Sequence, residues 1–180
     1  MGKKVLIISS SPRKGGNSDI LCDATLKGAI EAGHEAEKIF LRDKKINYCT
    51  GCRFCNTNDY TKCSQQDDIN ELMDKMENSD VIIYSTPIYL YSISGQMKTF
   101  IDRMCSRNTH LSNKEFYYIM TAADSSQSAI QFALGEFNGL MACLENPIEK
   151  GYLFAGGVWQ KGEVESTRYI QQAYELGKNI

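Results

Sequence analysis

Short apolar runs alternate along this chain with longer stretches whose apolar residues recur every three to four positions. That alternation predicts parallel α/β architecture. Val5–Ile8 is an unbroken run of Val, Leu and Ile, as a strand buried on both faces requires. From Asn17 to Ala32, residues Leu21, Ala24, Gly28 and Ala32 fall at helical spacing, and Gly33 predicts the stop. Glu35–Leu41 predicts a second strand, less apolar and nearer an edge. Asp68 and Glu71 stand three apart and predict a capping box, opening a helix with Ile69, Leu72, Met73 and Met76 inward. Val81–Ser85 predicts a third strand, and Gly95 to Cys105 a helix striped by Met97, Phe100, Ile101 and Met104. Phe116–Thr121 and Ser128–Leu144 predict the next strand and helix, the latter spaced on Ile130, Ala133, Phe137, Leu140 and Leu144. Tyr152–Val158 predicts the fifth strand, and Glu163 to Leu176 a closing helix ended by Gly177.

Five strands and five helices in strict alternation suit a doubly wound, three-layer α/β/α sandwich. Right-handed crossovers between parallel strands place helices on both faces of the sheet. The pattern does not fix the strand order. There is no internal repeat, low-complexity tract or linker, so residues 1–180 read as a single domain. The one long irregular stretch is a cysteine-bearing insertion at about 47–67, and a loop of that length inside a compact domain is usually functional.

In open α/β sheets, ligands bind beyond the carboxyl ends of the strands, so three loops are read together. The first, SSSPRKGGNS from Ser9 to Ser18, joins a buried strand to a helix start. Backbone N–H groups at a helix N-terminus attract a phosphate, and Ser9, Ser11, Arg13, Asn17 and Ser18 can complete its coordination. A plain solvated turn capped by Asn17 or Ser18 is the other reading. The order GxxxxGK[ST] is absent, which excludes the triphosphate reading, and so is GxGxxG, which removes the dinucleotide one. The second loop, Thr86 to Lys98, carries Pro87, Ile88, Tyr89, Leu90 and Tyr91 directly after a buried strand. Such an apolar, tyrosine-bearing loop suits packing against a flat organic ring, or burial under a neighbouring subunit. The third, Thr121-Ala122-Ala123-Asp124-Ser125, pairs small residues with polar ones, as close backbone approach to a ligand requires; a helix cap at Asp124 or Ser125 explains it equally well.

Composition narrows the partners. The chain has 42% hydrophobic and 23% charged residues, with 20 basic against 22 acidic, a formal charge of −2. No basic patch supports nucleic-acid binding. Val5–Ile8 is too short for a signal peptide, no segment reaches membrane-spanning length, and Leu6 breaks the myristoylation pattern after Met1-Gly2. The expected location is cytoplasmic, where thiols stay reduced. Seven cysteines therefore point to metal, redox chemistry or burial and away from a disulfide framework. Cys22, Cys105 and Cys143 fall on predicted helices and are expected to be buried. The two histidines, His34 and His110, lie off the ligand loops, which leaves a Ser/His/Asp hydrolase without support.

Cys49, Cys52, Cys55 and Cys63 are spaced C-x2-C-x2-C-x7-C. The first three resemble a ferredoxin run, whereas structural zinc more often pairs two C-x2-C arms far apart. Metal-free thiols lining a pocket or an interface come first, ahead of a [4Fe–4S] cluster and then zinc, and no metal ligand is assigned.

The SSPRKGGNS loop, the TPIY…SGQMKTFIDR segment and the cysteine stretch between them resemble the flavodoxin-fold NAD(P)H-dependent FMN reductases, nearest to their iron–sulfur flavoprotein branch. The resemblance runs from about Lys3 to about Val158. It implies a five-stranded flavodoxin-like sheet in the order 2-1-3-4-5. It implies FMN, with its phosphate held by Ser9, Ser11, Arg13, Asn17 and Ser18 and its ring bordered by Thr86, Pro87, Ile88 and Tyr89 and by Thr121, Ala122, Ala123 and Asp124. Gly95, Lys98 and Arg103 would take packing or dimer roles. The compact cysteine motif of that branch lies at the same place, but the gap of seven residues before Cys63 is wider than that branch leads one to expect. The expected activity is oxidation of NAD(P)H through bound FMN to a small acceptor such as a flavin, quinone or nitro or azo compound, by a homodimer or homotetramer, with no catalytic acid–base side chain required. The alternative is an electron-transfer flavoprotein, with or without a [4Fe–4S] cluster, serving a protein partner. The near-neutral charge weighs against that carrier.

Overall fold

The structure, a computed structural model, describes residues 2–180. In chain order its elements are β1 (Lys4–Ser9), α1 (Asn17–Glu31), β2 (Glu35–Phe40), α2 (Phe54–Thr57), α3 (Ile69–Glu77), β3 (Val81–Tyr89), β4 (Ser92–Ile93), α4 (Gly95–Met104), β5 (Glu115–Thr121), α5 (Ser128–Met141), β6 (Ile148–Ala155) and α6 (Tyr169–Lys178). The five long strands are parallel in the order β2-β1-β3-β5-β6, and the two-residue β4 pairs antiparallel with β3. With β4 set aside, this is the flavodoxin order 2-1-3-4-5.

Because strand side chains alternate, β1 feeds two cores at once. Val5 and Ile7 join Leu21 and Cys22 of α1 and Ala173 of α6 on one face. Leu6 and Ile8 join Leu72 and Met76 of α3, Phe100 of α4 and Phe137 of α5 on the other. In that second core Tyr84 stacks between Phe116 and Phe137, at centroid distances of 6.0 and 5.8 Å. Burial pushes the Tyr84 pKa far upward, so its hydroxyl stays protonated and donates to Met104 Sδ at 3.6 Å.

Several elements differ from their sequence-based expectation. Gly177 does not stop α6, which runs on to Lys178. A Cβ there would stand 2.0 Å from the Thr25 carbonyl oxygen, and one at Gly28 would stand 2.1 Å from that of Tyr174. These glycines let α1 and α6 approach closely. The capping box is absent: the Asp68 carboxylate accepts from the Lys45 N–H at 2.6 Å, and Glu71 pairs with Lys44 at 3.1 Å. Strand β3 runs through Thr86–Tyr89 because Ile88 and Tyr89 pair with Ile93 and Ser92 of β4. Strand β6 starts four residues early, at Ile148, and ends at Ala155. Glu163–Ser166 is a 3-10 turn that precedes α6. Of the cysteines expected to be buried, Cys22 is, but Cys105 and Cys143 are exposed. No described helix is long and apolar enough to cross a membrane.

Candidate functional site

Strand register brings the ligand loops to one edge. Ser9 of β1 lies beside Ser85 of β3, Pro87 of β3 beside Thr121 of β5, and Thr121 beside Ala155 of β6. Above this edge lies a cavity of about 340 Å³. Arg13 and Asn17 line it from the first loop, Pro87, Ile88 and Tyr89 from the end of β3, and Thr121, Ala122 and Ala123 from the third loop. Val158, Trp159 and Gln160 line it from the loop after β6. Those three were missed in sequence. The rule that ligands gather at strand carboxyl ends applies equally to the fifth strand and would have found them.

The remaining predicted residues stand behind the cavity wall. Ser9 is fully buried, and its Oγ has no hydrogen-bond partner among the described residues. Ser11 Oγ accepts from the Arg13 N–H at 3.2 Å and donates to the Arg13 carbonyl at 3.1 Å, which folds the turn back on itself. Asn17 does not cap α1. Its Nδ2 donates to Gln160 O at 2.9 Å and its Oδ1 accepts from Val164 N at 3.2 Å, so it fastens the fourth loop to the first. Ser18 Oγ bonds Thr121 Oγ1 at 2.7 Å, joining the first loop to the third. With those side chains engaged, the first loop offers a ligand mainly the start of α1. The N–H groups of Asn17, Ser18 and Asp19 have no acceptor among the described residues, and Arg13 forms no ion pair among them.

Thr86 is buried, and its Oγ1 accepts from Ser94 N at 2.9 Å, which fixes the start of α4 against β3. Asp124 ties the β3–β4 hairpin to the third loop: one oxygen accepts from Ser126 N at 2.8 Å and the other from Tyr91 Oη at 3.3 Å. The Ser126 N–H chiefly holds the Asp124 carboxyl below the usual carboxylate range. The hairpin turn is unusual in its residues. Leu90 and Tyr91 both take positive φ, +50° and +64°, where Asn and Gly are ordinarily found, and Leu90 is 98% exposed. Both histidines lie at the opposite edge, His34 Nδ1 accepting from Lys3 N and His110 beside Glu77.

The cysteine loop has its own cavity of about 130 Å³. Cys49, Cys52, Cys55 and Cys63 all line it, with Cys105 and Arg103 contributed by the end of α4. Arg103 and Asp67 form a two-pronged ion pair at 2.8 and 2.9 Å, with side chains 1% and 0% exposed. Arg103 also donates to Asn47 O at 2.6 Å and to Cys63 Sγ at 3.2 Å, and so clamps both ends of the loop. Burial alone would raise the Asp67 pKa, but the Arg103 hydrogen bonds and the Asn47 and Ile69 N–H groups bring it below the ordinary value. A hydrogen bond from Ser64, then the Phe54 N–H, lowers the pKa of Cys52 and favours its thiolate. Among the described residues, no three His, Cys, Asp or Glu side chains stand close enough to hold a single metal ion.

Comparison with known proteins bears on both features. The chain is 36% identical over 192 aligned positions to an iron–sulfur flavoprotein of Archaeoglobus fulgidus, covering 98% of this chain and 93% of that protein. A second iron–sulfur flavoprotein of the same organism is 46% identical over 101 residues, 56% of this chain and 45% of that protein. The chain thus spans less than half of that second relative. Among solved structures, a flavone reductase superposes with a TM-score of 0.75 at 22% identity, covering 98% of this chain and 61% of that one. The family model for NADPH-dependent FMN reductase matches residues 3–143. By that match and by the full-length relative, the chain belongs to the NADPH-dependent FMN reductase family of flavoproteins.

Proposed function

We propose that this protein is an FMN-dependent oxidoreductase that takes electrons from NAD(P)H and passes them to a small acceptor: a flavin, a quinone, or a nitro or azo compound. The observation that carries the reading is the single cavity of about 340 Å³ into which the first, second and third ligand loops converge. The residues fit the cofactor. At the start of α1 the unpartnered N–H groups of Asn17 to Asp19, with Arg13 beside them, suit a dianionic phosphate. Gly16 keeps that turn tight, since a Cβ would stand 2.9 Å from the Arg13 carbonyl oxygen. Pro87 and Ile88 give a flat ring an apolar wall, while Ala122 and Ala123 let the third loop approach it closely. The N–H groups of Ala123 and Asp124 have no acceptor among the described residues and are available to a ring carbonyl. When bound, FMN supplies hydride acceptance and onward electron transfer. The chain's part is to hold the phosphate, orient the ring and leave one face open, and neither histidine nor carboxylate is among the residues that line the cavity.

A second reading concerns the thiols. Five cysteines around one cavity, the motif four and Cys105, with no histidine, suit the donor set of an iron–sulfur cluster, and the full-length relative is named an iron–sulfur flavoprotein. Zinc fits less well. Structural zinc more often pairs two C-x2-C arms far apart in sequence, whereas these cysteines lie in one continuous stretch.

The test is anaerobic purification followed by a UV–visible spectrum, titration with FMN by fluorescence, and steady-state NADPH oxidation with a quinone. Flavin binding with turnover is expected. Failure to bind FMN sinks the proposal, and flavin binding without turnover favours a carrier for a protein partner. Broad added absorbance that is lost or altered in single serine variants of the five cavity cysteines supports the cluster.

A further inference from the structure

A second cavity, of about 450 Å³, lies beside the flavin cavity and shares Tyr89 alone with it. Leu41, Arg42 and Tyr48, from the stretch after β2, line it together with Tyr89 and Thr99. The flavin reading makes no use of this space. Its walls combine two features that seldom meet on an idle surface. Two tyrosines and the buried Leu41 offer faces for a flat ring. The charges are one-sided as well. No carboxylate lines the cavity, although Arg42 and Lys44 both do. Glu71 neutralises Lys44 at 3.1 Å. Arg42 donates to the Pro12 carbonyl at 2.8 Å and forms no ion pair among the described residues, so its charge is unspent.

Resting on the flavin reading, we propose that this cavity is the subsite for the flavin's reaction partner, and that the partner is a flat aromatic compound bearing an anionic group. The ring lies between Tyr48 and Tyr89, next to the flavin cavity, and the anion is met by the Arg42 guanidinium. Two sources share this chemistry: an acidic aromatic acceptor, and the phosphates of the nicotinamide donor.

The experiment uses FMN-loaded protein and a matched pair of acceptors, 1,4-naphthoquinone-2-sulfonate and 1,4-naphthoquinone. In Arg42→Gln, the ratio of KM for the sulfonate to KM for the neutral quinone is expected to rise about tenfold, the effect of losing one charge-assisted hydrogen bond. Arg42→Lys should recover part of that preference. If the donor is the source, the rise appears instead in KM for NADPH, with the quinone ratio fixed. Tyr48→Ala, at an exposed position apart from the Pro12 contact, should raise KM for both quinones. Calorimetry of the sulfonate with and without FMN separates the two readings. Protein that binds the sulfonate but not FMN loses the flavin reading and keeps the cavity. An Arg42→Gln protein with normal FMN affinity and neither the quinone ratio nor the NADPH KM changed overturns the subsite.

Discussion

Arg103→Met removes a cation whose side chain is 1% exposed and leaves the Asp67 carboxylate, at 0%, without its partner. A buried ion pair contributes little against an apolar pair of similar volume, but breaking one side strands a charge and costs about 3–5 kcal/mol. Three N–H groups still reach Asp67, from Asn47 backbone and side chain and from Ile69, which puts the expectation near the lower end of that range. For a chain of this length, that corresponds to a melting point lower by roughly 6–12 °C. Urea unfolding followed by circular dichroism measures it. The double variant Asp67→Leu with Arg103→Met should recover to within about 1–2 kcal/mol of the parent, because no buried charge is left over. It should not recover the loop. The bonds from Arg103 to Asn47 O and Cys63 Sγ are lost in both variants, so thiol labelling of Cys63 under native conditions should quicken in both. A single variant that costs under ~1 kcal/mol refutes the charge argument. So does a double variant as unstable as the single, which would mean that packing is what Arg103 supplies.

Three other perturbations test the packing and the charges of the fold. Gly177→Ala should lower stability by about 1–3 kcal/mol, since its Cβ meets backbone at 2.0 Å and α1 and α6 must part; an unchanged melting curve would contradict that contact. Leu90→Asn relieves the positive φ at an exposed turn position, keeps the Tyr91–Asp124 hydrogen bond, and should raise stability by about 1 kcal/mol in thermal unfolding. Asp67, whose pKa is lowered on folding, adds stability that is complete above the ordinary carboxylate pKa and is lost as pH falls through the folded value. The Asp67→Asn protein should therefore lose less stability than the parent between about pH 4 and pH 2. Parallel acid-unfolding curves would argue against that linkage.

The sequence carried the layers well because parallel strands and amphipathic helices write their burial locally. Val5–Ile8 is apolar on both faces, and Leu72, Met73 and Met76 mark one stripe of α3. The end of β3 was hidden for a physical reason. Pro87 reads as a loop, and the two residues of β4 carry no period of their own, so only the pairing of Ile88 with Ile93 turns Thr86–Tyr89 into strand. Gly28 and Gly177 illustrate the same limit: one sits unremarked inside a helical pattern and the other looks like a stop, yet each is fixed by a backbone atom of the opposite helix. At the site, Arg13, Pro87 and Ala122 were legible because strand ends declare themselves. The roles of Asn17 and Ser18 were not, since their partners, Gln160 and Thr121, lie 143 and 103 residues away.

The cysteine loop is where local reading falls shortest, and where the structure ties separate features together. Asp67 and Arg103 are 36 residues apart, and neither stands out by type. Together they hold Asn47, which lies between Ile46 and Tyr48 of the second cavity and two residues before Cys49 of the thiol cavity. One buried pair therefore sets a wall of the proposed partner subsite and the position of the thiols. A change in either partner should be felt at both places, in quinone KM through Tyr48 and in thiol labelling through Cys63. Cys105 belongs to this arrangement too. It lies outside the C-x2-C-x2-C-x7-C spacing, yet the last turn of α4 brings it to the same cavity as the four motif cysteines. Neighbouring thiols thus compete for any metal bound there. Ligand identity has to be read from single replacements of all five cysteines, because replacing the motif four alone would leave Cys105 able to substitute for one of them.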